Sequence, residues 1–320
     1  MVAVSQKSGQ GHWGRYMAKR KVGLVYTWHE MKKHKWLYLF LAPYAAVFLT
    51  FVVAPVAISI FFSFTYFNVL EPPRFIGFQN YLNLFLADDV FLIAIRNTLI
   101  LAFLTGPIGY IAAFMFAWFI NELPRYVRAV VTLIFYAPTI SGAAFLIWLL
   151  IFSGDAYGFA NAFLLRMGFI NEPMLWLSNP STMMPVIIIV VLWMSLGAGF
   201  LAFIAGLATV DESLYEAGLM DGIKNRWQEL WFITLPNMKG MLMFGAVMAI
   251  TASFSIGDVT AQLAGFPSTD YRAHTVINHL ADYGGMRFEM GYASAIATLL
   301  FLIMINTNKG VQAFLRRVGT

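Results

Sequence analysis

Six stretches of this 320-residue chain stay apolar for longer than a buried helix of a water-soluble domain needs, at about 36–64, 91–120, 127–152, 183–207, 241–263 and 291–314. Crossing the hydrocarbon core takes ~20 mostly apolar residues in helical form, because lipid offers exposed backbone groups no hydrogen-bond partner. The runs are continuous, whereas barrel strands would alternate over ~10 residues, so all six predict helices. An all-α, polytopic membrane protein with six transmembrane helices follows. The first run begins late and is too long for the apolar part of a cleavable signal, so it reads as an anchor. Ahead of it, residues 1–35 form a basic cytoplasmic segment with an expected interfacial helix, and 36–320 form the transmembrane domain.

Composition agrees: 60% of residues are hydrophobic and 12% charged, too little charge to cover a soluble globule. All of the 21 Lys and Arg except Arg74, Arg96, Arg166, Arg272 and Arg287 fall on segments that share a side with the N-terminus. By the positive-inside rule both termini are therefore expected in the cytoplasm. The net charge of +5 is mostly this bias and gives no reason to invoke nucleic acid. Cysteine is absent, which excludes disulfides, thiolate metal sites and cysteine nucleophiles. His29 and His34 stand five residues apart, off a common helix face, so they do not make a zinc-protease helix. No Gly-Lys-Ser or Gly-Lys-Thr is present to cradle a phosphate. No catalytic, metal or cofactor site is expected in this chain.

One polar loop, 208–240, stands between the fourth and fifth runs. Thr209-Val210-Asp211-Glu212 offers a capping box, with Asp211 as a competing N-cap, so a helix should start there. Leu214, Ala217, Gly218 and Asp221 recur at three- and four-residue spacing, which predicts a narrow face able to enter a groove. Gly222 suits the left-handed residue that ends the helix. The residues alone leave two readings open: a helix read by an aqueous partner, or a hairpin lying on the membrane surface.

Leu214-Tyr215-Glu216-Ala217-Gly218, with Asp221-Gly222 and Ile233-Thr234-Leu235-Pro236, resembles the EAA signature of permease subunits in binding-protein-dependent ABC importers. Two departures are visible: the usual third alanine is Gly218, and the link from Gly222 to Pro236 is one residue longer than the common form, which bears on the path of 223–225. Phe75-Ile76-Gly77-Phe78-Gln79-Asn80-Tyr81, Arg96-Asn97-Thr98-Leu99, Phe135-Tyr136-Ala137-Pro138 and Met290-Gly291-Tyr292-Ala293-Ser294-Ala295 are similar to the carbohydrate branch, of the maltose-type larger-partner kind. The tail also resembles a subgroup that includes alginate importers.

The resemblance implies an ABC importer type I permease fold in the bacterial cytoplasmic membrane. It implies a second permease subunit as heterodimer partner, two ATPase subunits that bind ATP and Mg, an extracytoplasmic solute-binding protein, and a carbohydrate cargo of oligosaccharide size, with an acidic, alginate-like sugar among the options. Leu214, Tyr215, Glu216, Ala217, Gly218, Met220, Asp221 and Gly222 would form the ATPase-coupling helix. The cargo path would run past Trp193, Met194, Ser195, Gly197, Gly199, Ser253, Gly257 and Asp258. Such residues suit hydroxyl-rich cargo, which needs hydrogen-bonding side chains, aromatic surface and small residues where backbone must stand back. Asp258 is the sole carboxylate inside a predicted span, and an ionisable group there is costly enough to suggest a role. Helix packing through small residues and a helix-end position for Asp258 account for the same residues without cargo. An ion-coupled secondary transporter is the alternative, and it predicts inverted repeats and broken helices that hold coupling ions.

Overall fold

The computed structural model describes residues 33–316, so the expected interfacial lead-in at 1–35 lies outside the described residues apart from its last three. The chain divides into two units between Ile58 and Ser59. In the first, the described residues enter a helical run, α1 (Lys35–Phe62), which continues across the boundary into the second. It includes a π turn at Leu49–Val53. It is long and apolar enough to cross a membrane.

The second unit opens with a short antiparallel pair, β1 (Thr65–Tyr66) and β2 (Arg74–Phe75), and α2 (Gln79–Leu86). Buried Asn80 donates from Nδ2 to the carbonyls of Ser63 and Thr65 and ties α2 to that pair. The long helix α3 (Asp89–Asn121) begins where Asp88 accepts the Phe91 N–H. The third expected span is broken: α4 (Arg125–Ser141) and α5 (Ala144–Ile151) are bent by 89°. Gly142 lies between them at φ +63°, a left-handed conformation that costs a residue with a Cβ ~1–2 kcal/mol and glycine far less. Membrane-length helices among the described residues therefore number five, or six if the bent pair is one span.

Beyond α5 come α6 (Phe159–Arg166), α7 (Met183–Leu207), α8 (Glu212–Met220), α9 (Arg226–Glu229), α10 (Lys239–Ala264), α11 (Val276–Ala281) and α12 (Met290–Leu315). Helices α3, α7 and α10 pack against one another. Lipid tails are as apolar as leucine, so close packing has to hold them together. A Cβ on Gly199 would come within 3.5 Å of the Gly245 backbone, and the Phe203 ring presses on Gly245. That ring stands edge-on to Tyr110 and Phe114 of α3.

At the N-terminal end of α3 the joint is polar. Asp88 Oδ2 lies 3.0 Å from His279 Nε2 on α11 and accepts the Tyr292 hydroxyl of α12 at 2.8 Å. Asn97 Nδ2 donates to the carbonyls of Tyr271 and His274, and the Thr98 hydroxyl accepts the Val276 N–H. Burial pushes the Asp88 carboxyl up, but the hydrogen bonds from His279, the Phe91 N–H and Tyr292 outweigh it and hold the group at about 2. On its other side, His279 Nδ1 lies 3.3 Å from His274 Nε2, so the two rings share a hydrogen bond. Burial, with His279 beside it, pulls the His274 imidazole down to about 4.

Candidate functional site

Helix α8 is built by its two ends. Asp211 is the N-cap, accepting the Ser213 N–H at 3.0 Å, and that bond with the Ser213 hydroxyl holds its carboxyl below the usual range. The expected capping box does not form, because the Thr209 hydroxyl turns back to the Gly206 carbonyl. At the other end Gly222 takes φ +91°; its N–H bonds Leu219 O and the next N–H, of Ile223, bonds Gly218 O. This is the paired closure that satisfies the last carbonyls of a helix. The longer link then follows a defined path: Ile223 packs on Gly218, the Lys224 N–H bonds Gln228 Oε1, and Asn225 caps α9.

Of the expected narrow face, Gly218 alone turns inward, while Leu214, Ala217 and Asp221 stay exposed. Gly218 is buried in its own chain, where a Cβ would lie 2.7 Å from Ile233 Cδ1 and 3.0 Å from Ile223 Cδ1. Tyr215, half-buried, shares a hydrogen bond with the Thr234 hydroxyl in the π turn Leu230–Thr234. The missing side chain at Gly218 therefore serves its seating on that turn. The exposed side carries Leu214, Glu216, Ala217, Leu219, Met220 and Asp221, with Met220 89% exposed.

A cavity of about 320 Å³ opens between α3, α7 and α10. Two of its helices break beside it: α7 at 194–197, between Met183–Trp193 and Ala198–Leu207, and α10 at 255–257, between Lys239–Phe254 and Asp258–Ala264. Of the residues expected along a cargo path, Met194, Ser195, Gly197, Gly199 and Ser253 line it. Three other nominated residues do not. Trp193 turns edge-on to Trp148, with ring centroids 5.5 Å apart. Gly257 admits Ile277 of α11 and takes the Asn278 amide on its carbonyl. Asp258 is exposed at the start of its helical stretch, outside the cavity wall.

The wall also includes residues that reading the chain had not singled out, Thr105, Gly106, Gly109 and Tyr110 of α3. Their signal was present as Thr105-Gly106-Pro107, a polar residue, a bare one and a ring-locked one in the middle of an apolar run. The Ser195 hydroxyl is buried without a hydrogen-bond partner, while the Tyr110 hydroxyl donates to Leu242 O. No Asp, Glu, Lys, Arg or His is among the described residues lining this space. The arrangement can take up hydroxyl groups and apolar ring faces.

A membrane bundle of this kind, with a capped helix exposed between two spans and an uncharged cavity at two helix breaks, defines a transport permease. Residues 105–318 match the family described as binding-protein-dependent transport system inner membrane component, and the chain belongs to it. Among its relatives, the "Probable ABC transporter permease protein YesP" of Bacillus subtilis (strain 168) is 30% identical over 273 residues, 83% of this chain and 86% of that one. The arabinooligosaccharides transport system permease protein AraP of the same organism is 29% identical, with 84% of each chain covered. A solved bacterial ABC transporter involved in import of the acidic polysaccharide alginate matches with a TM-score of 0.71 at 24% identity, over 92% of this chain and 99% of that one, a likeness of fold. The fold is accordingly the ABC importer type I permease fold, and family membership takes the place of the ion-coupled alternative.

Proposed function

We propose that this chain is one of two related permease subunits of an ATP-driven importer that carries an oligosaccharide into the bacterial cytoplasm without altering it. The observation that carries the reading is the pairing of an exposed, doubly capped helix α8 with a cavity walled by hydroxyls and glycines. Relatives named for oligosaccharide transport support the cargo class. In this reading both chain termini and α8 face the cytoplasm, where two ATPase subunits bind ATP and Mg and take the Leu214, Glu216, Ala217 and Met220 side of the helix. Tyr215, Gly218 and Gly222 hold that helix in shape. An extracytoplasmic binding protein delivers cargo to the opposite side. ATP closes the ATPase pair, α8 travels with it, and hydrolysis resets the cavity; docking has to persist through both states for the nucleotide to bias them.

The uncharged wall favours a neutral sugar over an alginate-like one, because a carboxylate taken out of water without a cation is strongly disfavoured. Acidic cargo would need its positive charge from the second permease subunit. ATPase stimulation of the assembled complex across a panel of neutral and acidic oligosaccharides, each offered with the binding protein, tests the proposal. Stimulation by neutral members is the expected result. Stimulation by acidic members alone would overturn the neutral assignment, and uptake that follows an ion gradient without ATP would overturn the importer itself.

A further inference from the structure

Whatever α8 does to the cavity has to pass through elements it touches. Gly218 seats on Ile233 and Tyr215 bonds Thr234, so α8 is fastened to the π turn that follows α9. From there the chain meets the C-terminal end of α3. Buried Trp118 packs against Trp227 with ring centroids 5.3 Å apart. Beside this contact Glu122 Oε1 lies 3.3 Å from Arg226 Nε, while Arg226 Nη1 holds Glu229 Oε2 at 2.8 Å. Cavity residues Gly109, Tyr110 and Ala113 sit on the same stretch of α3, which runs to Asn121 as unbroken helix. At 1.5 Å per residue, Ala113 and Trp118 are about 7–8 Å apart along the axis. So short a helical segment transmits displacement instead of absorbing it, because packed interiors yield little.

We infer that Arg226 and Trp227 are positioning residues through which the docking loop moves the α3 wall of the cavity. The inference rests on the docking role proposed for α8. The ring pair supplies the contact and the Arg226 fork, reaching Glu122 and Glu229 together, sets its direction. An ion pair this exposed adds little to fold stability, so its loss should change coupling more than folding.

The chain has no cysteine, so nitroxide labels at Ile108→Cys on α3 and Met248→Cys on α10 report the distance between two cavity walls in a complex with cysteine-free partners. ATP with Mg is the probe, and co-purification of the ATPase subunits is scored in the same samples. In the parent chain the distance changes on adding ATP. Trp227→Ala and Glu122→Arg are expected to keep the ATPase bound yet reduce that change by about half or more. Glu122→Arg combined with Arg226→Glu and Glu229→Arg, which reverses both pairs of the fork, should restore it, which a merely structural role would not. A full distance change in both single variants overturns the inference, as does loss of the ATPase from them, which would make these residues docking residues. If the ATPase fails to co-purify with the parent chain, the docking reading itself falls.

Discussion

A side chain on Gly218 has nowhere to go except into Ile233 and Ile223. Those obstacles are methyl ends that can swing, and alanine would gain up to ~1 kcal/mol of helix preference, so Gly218→Ala should be close to neutral. Gly218→Leu overpacks the same seat and should cost ~1–3 kcal/mol. Protease resistance of the 208–240 loop and ATPase co-purification would check both; equal resistance of the leucine variant would sink the seating role. The spacing of small residues along α8 was readable from the chain, but which body that face meets was not, because a narrow helix face suits an internal neighbour and an external one alike. Asp258 carries the same lesson: one helix break decides whether a carboxylate at the edge of an apolar run joins the cavity wall or stays outside it.

Among elements, the joint of α3 with α11 and α12 is the place where pH should be felt. His274 binds a proton in the unfolded chain below its ordinary value near 6.5, but in the fold only below about 4. Stability should therefore be full above about pH 6.5 and decline as pH falls from there to about 4. Asp88 acts in a lower window: held at about 2, it contributes fully above its ordinary 3.8 and is lost as pH falls through 2. Thermal unfolding in detergent between pH 7 and 4 measures the first effect. His274→Gln, whose amide can still donate toward His279, should flatten that slope; an unchanged slope would assign the acid sensitivity elsewhere. No motif announces this joint, since Asp88, His274, His279 and Tyr292 are brought together across some 200 residues of chain.

For the whole molecule, apolar run length is enough to say that the chain lives in a membrane, and the Lys and Arg bias predicts which way it faces. The absence of cysteine makes orientation directly measurable. Met220→Cys on α8 and Tyr157→Cys on the expected outer side, 89% and 93% exposed, should react oppositely with an impermeant thiol reagent on intact cells. Tyr157→Cys is expected to label at once, and Met220→Cys only after permeabilisation; the reverse would invert the topology and place α8 out of reach of any cytoplasmic ATPase.

The sequence by itself determined the six apolar runs, the capped helix between the fourth and fifth, and the family to which that helix belongs. These are local properties: hydrophobic run length, a cap residue and a left-handed glycine each act within a few residues. Tertiary structure alone decided that the third run bends by 89° at Gly142, that Gly218 faces inward, and that α3 supplies a cavity wall while Asp258 does not. Those outcomes depend on which faces of separate helices meet, and in lipid that choice rests on close fit and paired polar groups, with no hydrophobic gradient to mark the inner face in advance.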